Sequence, residues 1–288
     1  MLDQSEQDFG QEIAIGAGGN HLSGRLFLPA GAPQAAVVLN GATAVPQRFY
    51  RHFARWLAEE RGMACLTYDY SGFGASAAGH VKTSAATMVQ WAMVDQPAAR
   101  GAMRSALPGV PLRVIGHSLG TMLLPLQQDI ADIARVTAVA SGLVHVSDHP
   151  WPYRALAWLF WHGHAPLAAR LMGYLPGRAL GLGADVPAGV YWQWRHWCTR
   201  QGSYLPDCGR TLPRPDWSRC GAPVDFITFS DDQMAPPPSV WRLAEVYGGQ
   251  QRRHLLRPAD FGLASIGHLD AFSRRCAAVW PVLVPEEE

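Results

Sequence analysis

A serine hydroxyl becomes a nucleophile when the backbone presents it and a neighbouring base takes its proton. One serine of this chain has the first of these built in. Ser118 is the centre of Gly116-His117-Ser118-Leu119-Gly120, a G-x-S-x-G pentapeptide entered from the apolar run Leu112-Arg113-Val114-Ile115 and left through Leu119, Thr121, Met122, Leu123 and Leu124. That context reads as buried strand, sharp turn and helix, a nucleophile elbow. The central residue of such a turn is strained, and the positions two before and two after it must be free of side chains. Gly116 and Gly120 fill them. The helix start beyond the serine offers amides and a positive dipole to an oxyanion, so the chemistry expected at Ser118 is attack on a carbonyl.

Such a serine needs a base, and the base needs a carboxylate to fix its tautomer. Carboxylates that follow Ser118 at a strand end are Asp231 and Asp232, after Pro223-Val224-Asp225-Phe226-Ile227-Thr228-Phe229; a histidine just past the last strand is His268, in Ile266-Gly267-His268-Leu269. The order Ser, Asp, His matches an elbow of this type. Of the 11 histidines, His117 lies inside the elbow with its side chain expected to point away from Ser118, and His145, His149, His162, His164 and His196 fall in a different segment. Asp69 ends a strand in a glycine-rich stretch and reads as a structural turn, Asp95 as a solvated or capping group on a helix.

The elements that must position these residues follow from hydrophobic pattern. Gln11 to Ile15 and His21 to Leu28 read as a hairpin around Gly16-Ala17-Gly18-Gly19-Asn20. Ala36 to Leu39, Met63 to Tyr68, the elbow strand, Val136 to Ser141 and the run before Asp231 are almost continuously apolar, with helical stretches between them: Gln47 to Arg61, Ser84 to Ser105, Ser239 to Tyr247. Arg252 to Leu256 reads as the last strand and Leu269 to Trp280 as the last helix. Strands of this kind imply an α/β, doubly wound, mostly parallel sheet covered on both faces, with ligands at the carboxyl ends of the strands. The alternation stops between Leu143 and Cys220, where tryptophans accumulate and prolines cut the chain into short pieces. We expect residues 1–142 and 221–288 to form the core and residues 143–220 a helical, Trp-rich cap insertion, with Trp194 and Trp197 lining a substrate pocket.

With 288 residues, net charge +1 and 16% charged side chains, the composition is that of an ordinary globular chain, without a basic patch for nucleic acid. The start Met1-Leu2-Asp3-Gln4-Ser5-Glu6 lacks the features of a signal peptide, and no apolar run is long enough to span a bilayer, so a cytoplasmic protein is expected. Five cysteines without C-x-x-C spacing read as free thiols, and no metal or organic cofactor is implied.

The arrangement resembles the α/β-hydrolase superfamily over nearly the whole chain. Asp232-Gln233-Met234-Ala235-Pro236 is similar to its acid turn, which selects Asp232 over Asp231; Gly267-His268 resembles its catalytic histidine loop; and Asp69-Tyr70-Ser71-Gly72-Phe73-Gly74-Ala75-Ser76 is similar to its D-x-R-G-x-G-x-S turn, with Ser71 in place of the usual Arg. Leu39-Asn40-Gly41-Ala42-Thr43, Gly173-Tyr174-Leu175-Pro176 and Trp194-Arg195-His196-Trp197 look like a group of bacterial predicted hydrolases without a settled substrate. The resemblance implies an esterase-like serine hydrolase with Ser118, His268 and Asp232 as its triad and the amides of Leu119 and Ala42 as oxyanion donors. It implies a small-molecule ester, thioester or amide with an apolar or aromatic acyl group. An acyltransferase using the same acyl-enzyme, and a non-catalytic binding protein on this fold, are the competing classes. Dehalogenase and epoxide hydrolase chemistry is disfavoured, because those relatives carry Asp where this chain has Ser118.

Overall fold

The structure, a computed structural model, describes residues 10–285, so the expectation drawn from Met1 to Glu6 lies outside the described residues. Strands β1 (Gln11–Ala17) and β2 (Asn20–Phe27) form an antiparallel hairpin with Gln11 opposite Leu26 and Ala17 opposite Asn20. The turn is tighter than the five-residue loop expected, because Gly18 and Gly19 take φ of 54° and 88° and reverse the chain between them. β3 (Ala35–Asn40) and β4 (Met63–Tyr68) are buried at every position, as parallel strands covered on both faces must be. Between them a 3-10 turn, Gln47–Tyr50, leads into α1 (Arg51–Arg61), which buries Phe53, Ala54, Leu57 and Ala58 and stops at left-handed Gly62.

The next helical stretch is α2 (Met88–Gln90), a π-helical turn over Trp91–Asp95, and α3 (Gln96–Ala106). β5 (Leu112–His117) carries the chain to Ser118, and α4 (Leu119–Met122) leaves it, ending early where Pro125 sits in a 3-10 turn, Leu124–Leu126. β6 (Ile133–Val139) follows. The Trp-rich segment then forms α5 (Tyr153–Leu159), a π-helical turn over Phe160–His164, α6 (Ala165–Met172), a ribbon of β7 (Tyr174–Leu175) and β8 (Val186–Pro187), and α7 (Ala188–Cys198). β9 (Val224–Phe229), α8 (Pro237–Tyr247) and β10 (Gln251–Leu256) resume the alternation. The last helix expected is instead two 3-10 pieces, Asp270–Phe272 and Arg274–Leu283, because Ser273 between them is extended (φ −77°, ψ 153°) and Pro281 interrupts the second.

The main sheet runs β1-β2-β4-β3-β5-β6-β9-β10. β1, β2 and β4 pair antiparallel; β4 through β10 pair parallel. The chain is therefore an α/β protein with an eight-stranded, mostly parallel sheet. One face is covered by α2, α3 and α8, with Trp91 stacked on Tyr70 at 4.8 Å between ring centres; the other by α1 and the carboxyl-terminal 3-10 pieces, where Phe53 meets Phe272 edge-on at 5.1 Å. Since β3, β5, β6 and β9 are adjacent and parallel, the loops after Asn40, His117, Val139 and Phe229 emerge along one edge.

Candidate active site

Ser118 has φ 54° and ψ −107°, a conformation that a residue with a side chain adopts only under compulsion. Close packing supplies the compulsion. A Cβ on Gly116 would lie 2.3 Å from Thr121 Cγ2, and one on Gly120 2.3 Å from the Asn40 carbonyl oxygen, so strand and helix meet at a distance no other residue allows. Hydrogen bonds hold the elbow in place. Ser118 N–H donates to the Val139 carbonyl (2.9 Å). The Asn40 amide donates to the Gly120 carbonyl (2.9 Å) while its oxygen accepts from the Tyr68 hydroxyl (2.7 Å), and the Ser141 hydroxyl donates to the Ser118 carbonyl.

Asp232 and His268 come together as expected, with His268 Nδ1 2.8 Å from Asp232 Oδ2 and both side chains almost fully buried. The other carboxylate oxygen, Oδ1, accepts from the amides of Met234 and Ala235, each at 2.8 Å, which is the physical content of the Asp-x-x-small-Pro turn. Burial alone would raise the Asp232 pKa; the charge and hydrogen bond of His268 and those two amides outweigh it and leave the carboxyl below its ordinary value. An ionised Asp232 fixes the proton of His268 on Nδ1, and Nε2 is left as the basic nitrogen. Asp231 does different work from its neighbour: its Oδ2 accepts from the amides of Ile266 (2.8 Å) and Gly267 (3.0 Å), tying the acid turn to the loop that carries His268.

His117 points away from Ser118 and is fully buried. Its hydrogen bonds have one consistent direction. The His268 carbonyl, 2.8 Å from His117 Nε2, can only accept, so Nε2 carries the proton; Nδ1 must then accept from the Tyr50 hydroxyl (2.9 Å), which in turn accepts from Ala42 N–H (2.8 Å). Burial, then the nearby charge of His268, lower the His117 pKa to about 3, so the ring is neutral. This chain corrects one expectation. The Ala42 amide is occupied by Tyr50, and Ala42 lies outside the wall of the cavity that contains Ser118, where its neighbour Thr43 is found. The reason is the 3-10 turn ahead of α1, which delivers Tyr50 beneath the loop.

That cavity has a volume of about 290 Å³ and lies over the elbow, with Ser118, Leu119 and His268 on its floor. Trp194 and Trp197 both line it. They differ in setting: Trp197 is 3% exposed and donates from Nε1 to Asp207 Oδ2 (3.2 Å), while half-buried Trp194 meets Trp161 edge-on at 5.0 Å. Wall residues that sequence reasoning missed include Tyr153, Phe160, Trp161 and Met88, together with His149, whose Nδ1 donates to the Gln233 carbonyl (2.8 Å) beside the acid turn. Phe160 and Trp161 face the cavity from a π-helical turn, a register that a period of 3.6 does not anticipate.

Asp69 is the structural turn expected, accepting from the amides of Gln47 (2.7 Å) and Ala75 (2.8 Å). Asp95 is not solvated. It is fully buried and accepts from both the amide (2.7 Å) and the hydroxyl (2.8 Å) of Ser71, the residue standing where the turn usually has Arg, and burial raises its pKa to about 6.

The profile of the alpha/beta hydrolase family matches residues 36–279, and the chain belongs to that family. No curated protein sequence matches it. Among solved structures it resembles a soluble variant of monoglyceride lipase from Saccharomyces cerevisiae (15% identity, 97% of this chain and 96% of that one, TM-score 0.66). It also resembles an enol-lactonase from Burkholderia xenovorans LB400 (16%, 94% and 98%, TM-score 0.59) and a thermophilic esterase from Thermogutta terrifontis (12%, 94% and 96%, TM-score 0.55). At these identities the likeness is one of fold.

Proposed function

We propose that the protein is a serine hydrolase that cleaves a small ester, thioester or amide with an apolar or aromatic acyl group through an acyl-enzyme on Ser118. In this reading His268 Nε2 takes the Ser118 proton as the hydroxyl attacks the carbonyl, then returns it to the leaving group; Asp232 holds the ring and stabilises the imidazolium. The tetrahedral oxyanion is held by the Leu119 amide, the first of α4 and without an acceptor within its helix, and by the amide of Thr43, which replaces Ala42 in that role. Water then repeats the sequence in reverse. The observation that carries the proposal is the Asp232–His268 hydrogen bond in the same mostly apolar cavity as a serine of positive φ.

Residues 143–220 act in this reading as a cap, since α5, the π-helical turn that follows it, and α7 form much of the cavity wall. The volume of about 290 Å³ lies at the small end of ligand pockets and favours compact acyl groups over long chains. The test is turnover of a series of p-nitrophenyl esters of increasing acyl length by the wild type, Ser118→Ala and His268→Ala. We expect a maximum at short or medium length, and loss of turnover by several orders of magnitude in both variants. Activity retained in Ser118→Ala would contradict the proposal.

A further inference from the structure

We propose that the outward face of the helical run from α5 to α6 is a docking surface for an anionic lipid bilayer, from which an apolar ester enters the Ser118 cavity. Among the described residues ten large apolar side chains are exposed, and seven of these fall within residues 151–172. Single exposed apolar residues are ordinary, whereas a cluster marks a surface with a partner. The inward side of this run is already filled: Ala157, Trp161, Ala165 and Ala169, four residues apart, are buried against the rest of the molecule. Its solvent side carries Leu156, Trp158, Leu159, Leu167 and Leu171, between 51% and 78% exposed, with Trp151 just ahead at 78%. A helix that is apolar all round needs a second apolar neighbour.

Charge and side-chain type identify the neighbour. Between Asp148 and Asp185 the sequence contains no carboxylate side chain, while Arg154, Arg170 and Arg178 are exposed. A second copy of the chain would set these arginines against one another across a two-fold axis, whereas anionic headgroups meet them with opposite charge. Trp151 and Trp158 have the amphipathic rings that settle at the headgroup boundary, and the leucines supply the part that enters the acyl region. No helix among the described residues is long and apolar enough to cross a membrane, so the contact is one of lying on the surface. Leu156 and Leu159 are both exposed and part of the cavity wall, so the apolar surface continues into the site. Docking stands on the surface alone; entry of the substrate by this route rests also on the hydrolase reading.

The experiment is flotation of the full chain with vesicles of phosphatidylcholine mixed with phosphatidylserine, comparing wild type, Ser118→Ala, and a double variant Trp158→Ser, Leu171→Glu. Both substituted positions are exposed and outside the cavity wall, so folding and turnover of a soluble p-nitrophenyl ester stay at the wild-type level. We expect the wild type and Ser118→Ala to float equally, and the double variant to lose ~tenfold or more in partitioning. Hydrolysis of an ester dissolved in the same vesicles should fall with it. Absence of flotation in the wild type, or equal flotation of the double variant, overturns the proposal. So does loss of flotation in Ser118→Ala, which places binding in the active site. A dimer seen by light scattering that the double variant dissolves, without vesicle binding, assigns the face to a second copy and equally overturns it. If the protein floats but cleaves nothing, the hydrolase reading fails and the docking surface stands.

Discussion

In the proposed mechanism the proton on Ser118 Oγ leaves only if His268 is both unprotonated at Nε2 and correctly aimed, and two separate sets of contacts govern these. Asp232 governs the side chain. Asp232→Asn keeps the shape but permits the wrong tautomer, and we expect turnover to fall by about 10³–10⁴ with unfolding little changed. His117 governs the backbone, through the bond from its Nε2 to the His268 carbonyl and the run of bonds back through Tyr50 to Ala42. Tyr50→Phe removes the donor to His117 and leaves the Ala42 amide buried without its acceptor, a loss of about 1–3 kcal/mol in urea unfolding together with a lower kcat. His117 also makes stability depend on pH. Its folded pKa, about 3, lies below the ordinary histidine value, so as pH falls from about 6.5 the unfolded chain takes a proton that the native chain refuses. Stability on this account is fully present above that range and is lost towards pH 3 at up to about 1.4 kcal/mol per pH unit. Urea titrations between neutral pH and pH 4 check this, and His117→Gln should flatten the profile.

At the scale of elements, the site depends on loops tied to one another. The loop carrying His268 is fixed to the acid turn through Asp231, whose Oδ2 accepts two of its amides. Asp231→Ala should lower turnover by about tenfold or more through misplacement of His268, whereas Asp231→Asn, whose amide oxygen can still accept, should restore most of it. Steady-state kinetics on one soluble ester distinguishes these from Asp232→Asn, which is not rescued by shape. The two cavity-lining tryptophans of α7 should also separate. Trp194→Ala, at a half-buried position, should shift the preference along the ester series with little effect on folding. Trp197→Ala should cost about 3–5 kcal/mol of stability, because the ring is buried and hydrogen-bonded. The core strands and the elbow could be read from sequence because their signals are local: unbroken apolar runs and two glycines at fixed spacing. The π-helical turn over Phe160–His164 and the cavity wall it forms could not, since which side of those helices is buried is decided by tertiary contacts. Likewise nothing near Ala42 announces that a tyrosine eight residues on will occupy its amide.

For the whole molecule, the order of strands explains why residues as distant as Asn40, Ser118, Asp232 and His268 meet. Parallel neighbours β3, β5, β6 and β9 deliver their carboxyl ends to one edge, and the chain between β6 and β9 supplies much of the wall of the cavity there. That much follows from the alternation of apolar strands and helices, so the architecture is legible in the sequence, as is the pairing of Asp232 with His268. Asp95 departs from its expected setting for a reason of the same scale: a carboxylate on a helix is ordinarily solvated, but this one is buried against Ser71. The central claim, that Ser118 is an activated nucleophile, is tested most directly by treating the full chain with a fluorophosphonate and locating the adduct by peptide mass spectrometry. A single adduct on Ser118, absent in Ser118→Ala and strongly slowed in His268→Ala, is the predicted result; no adduct, or one that persists when Ser118 is replaced, would contradict it.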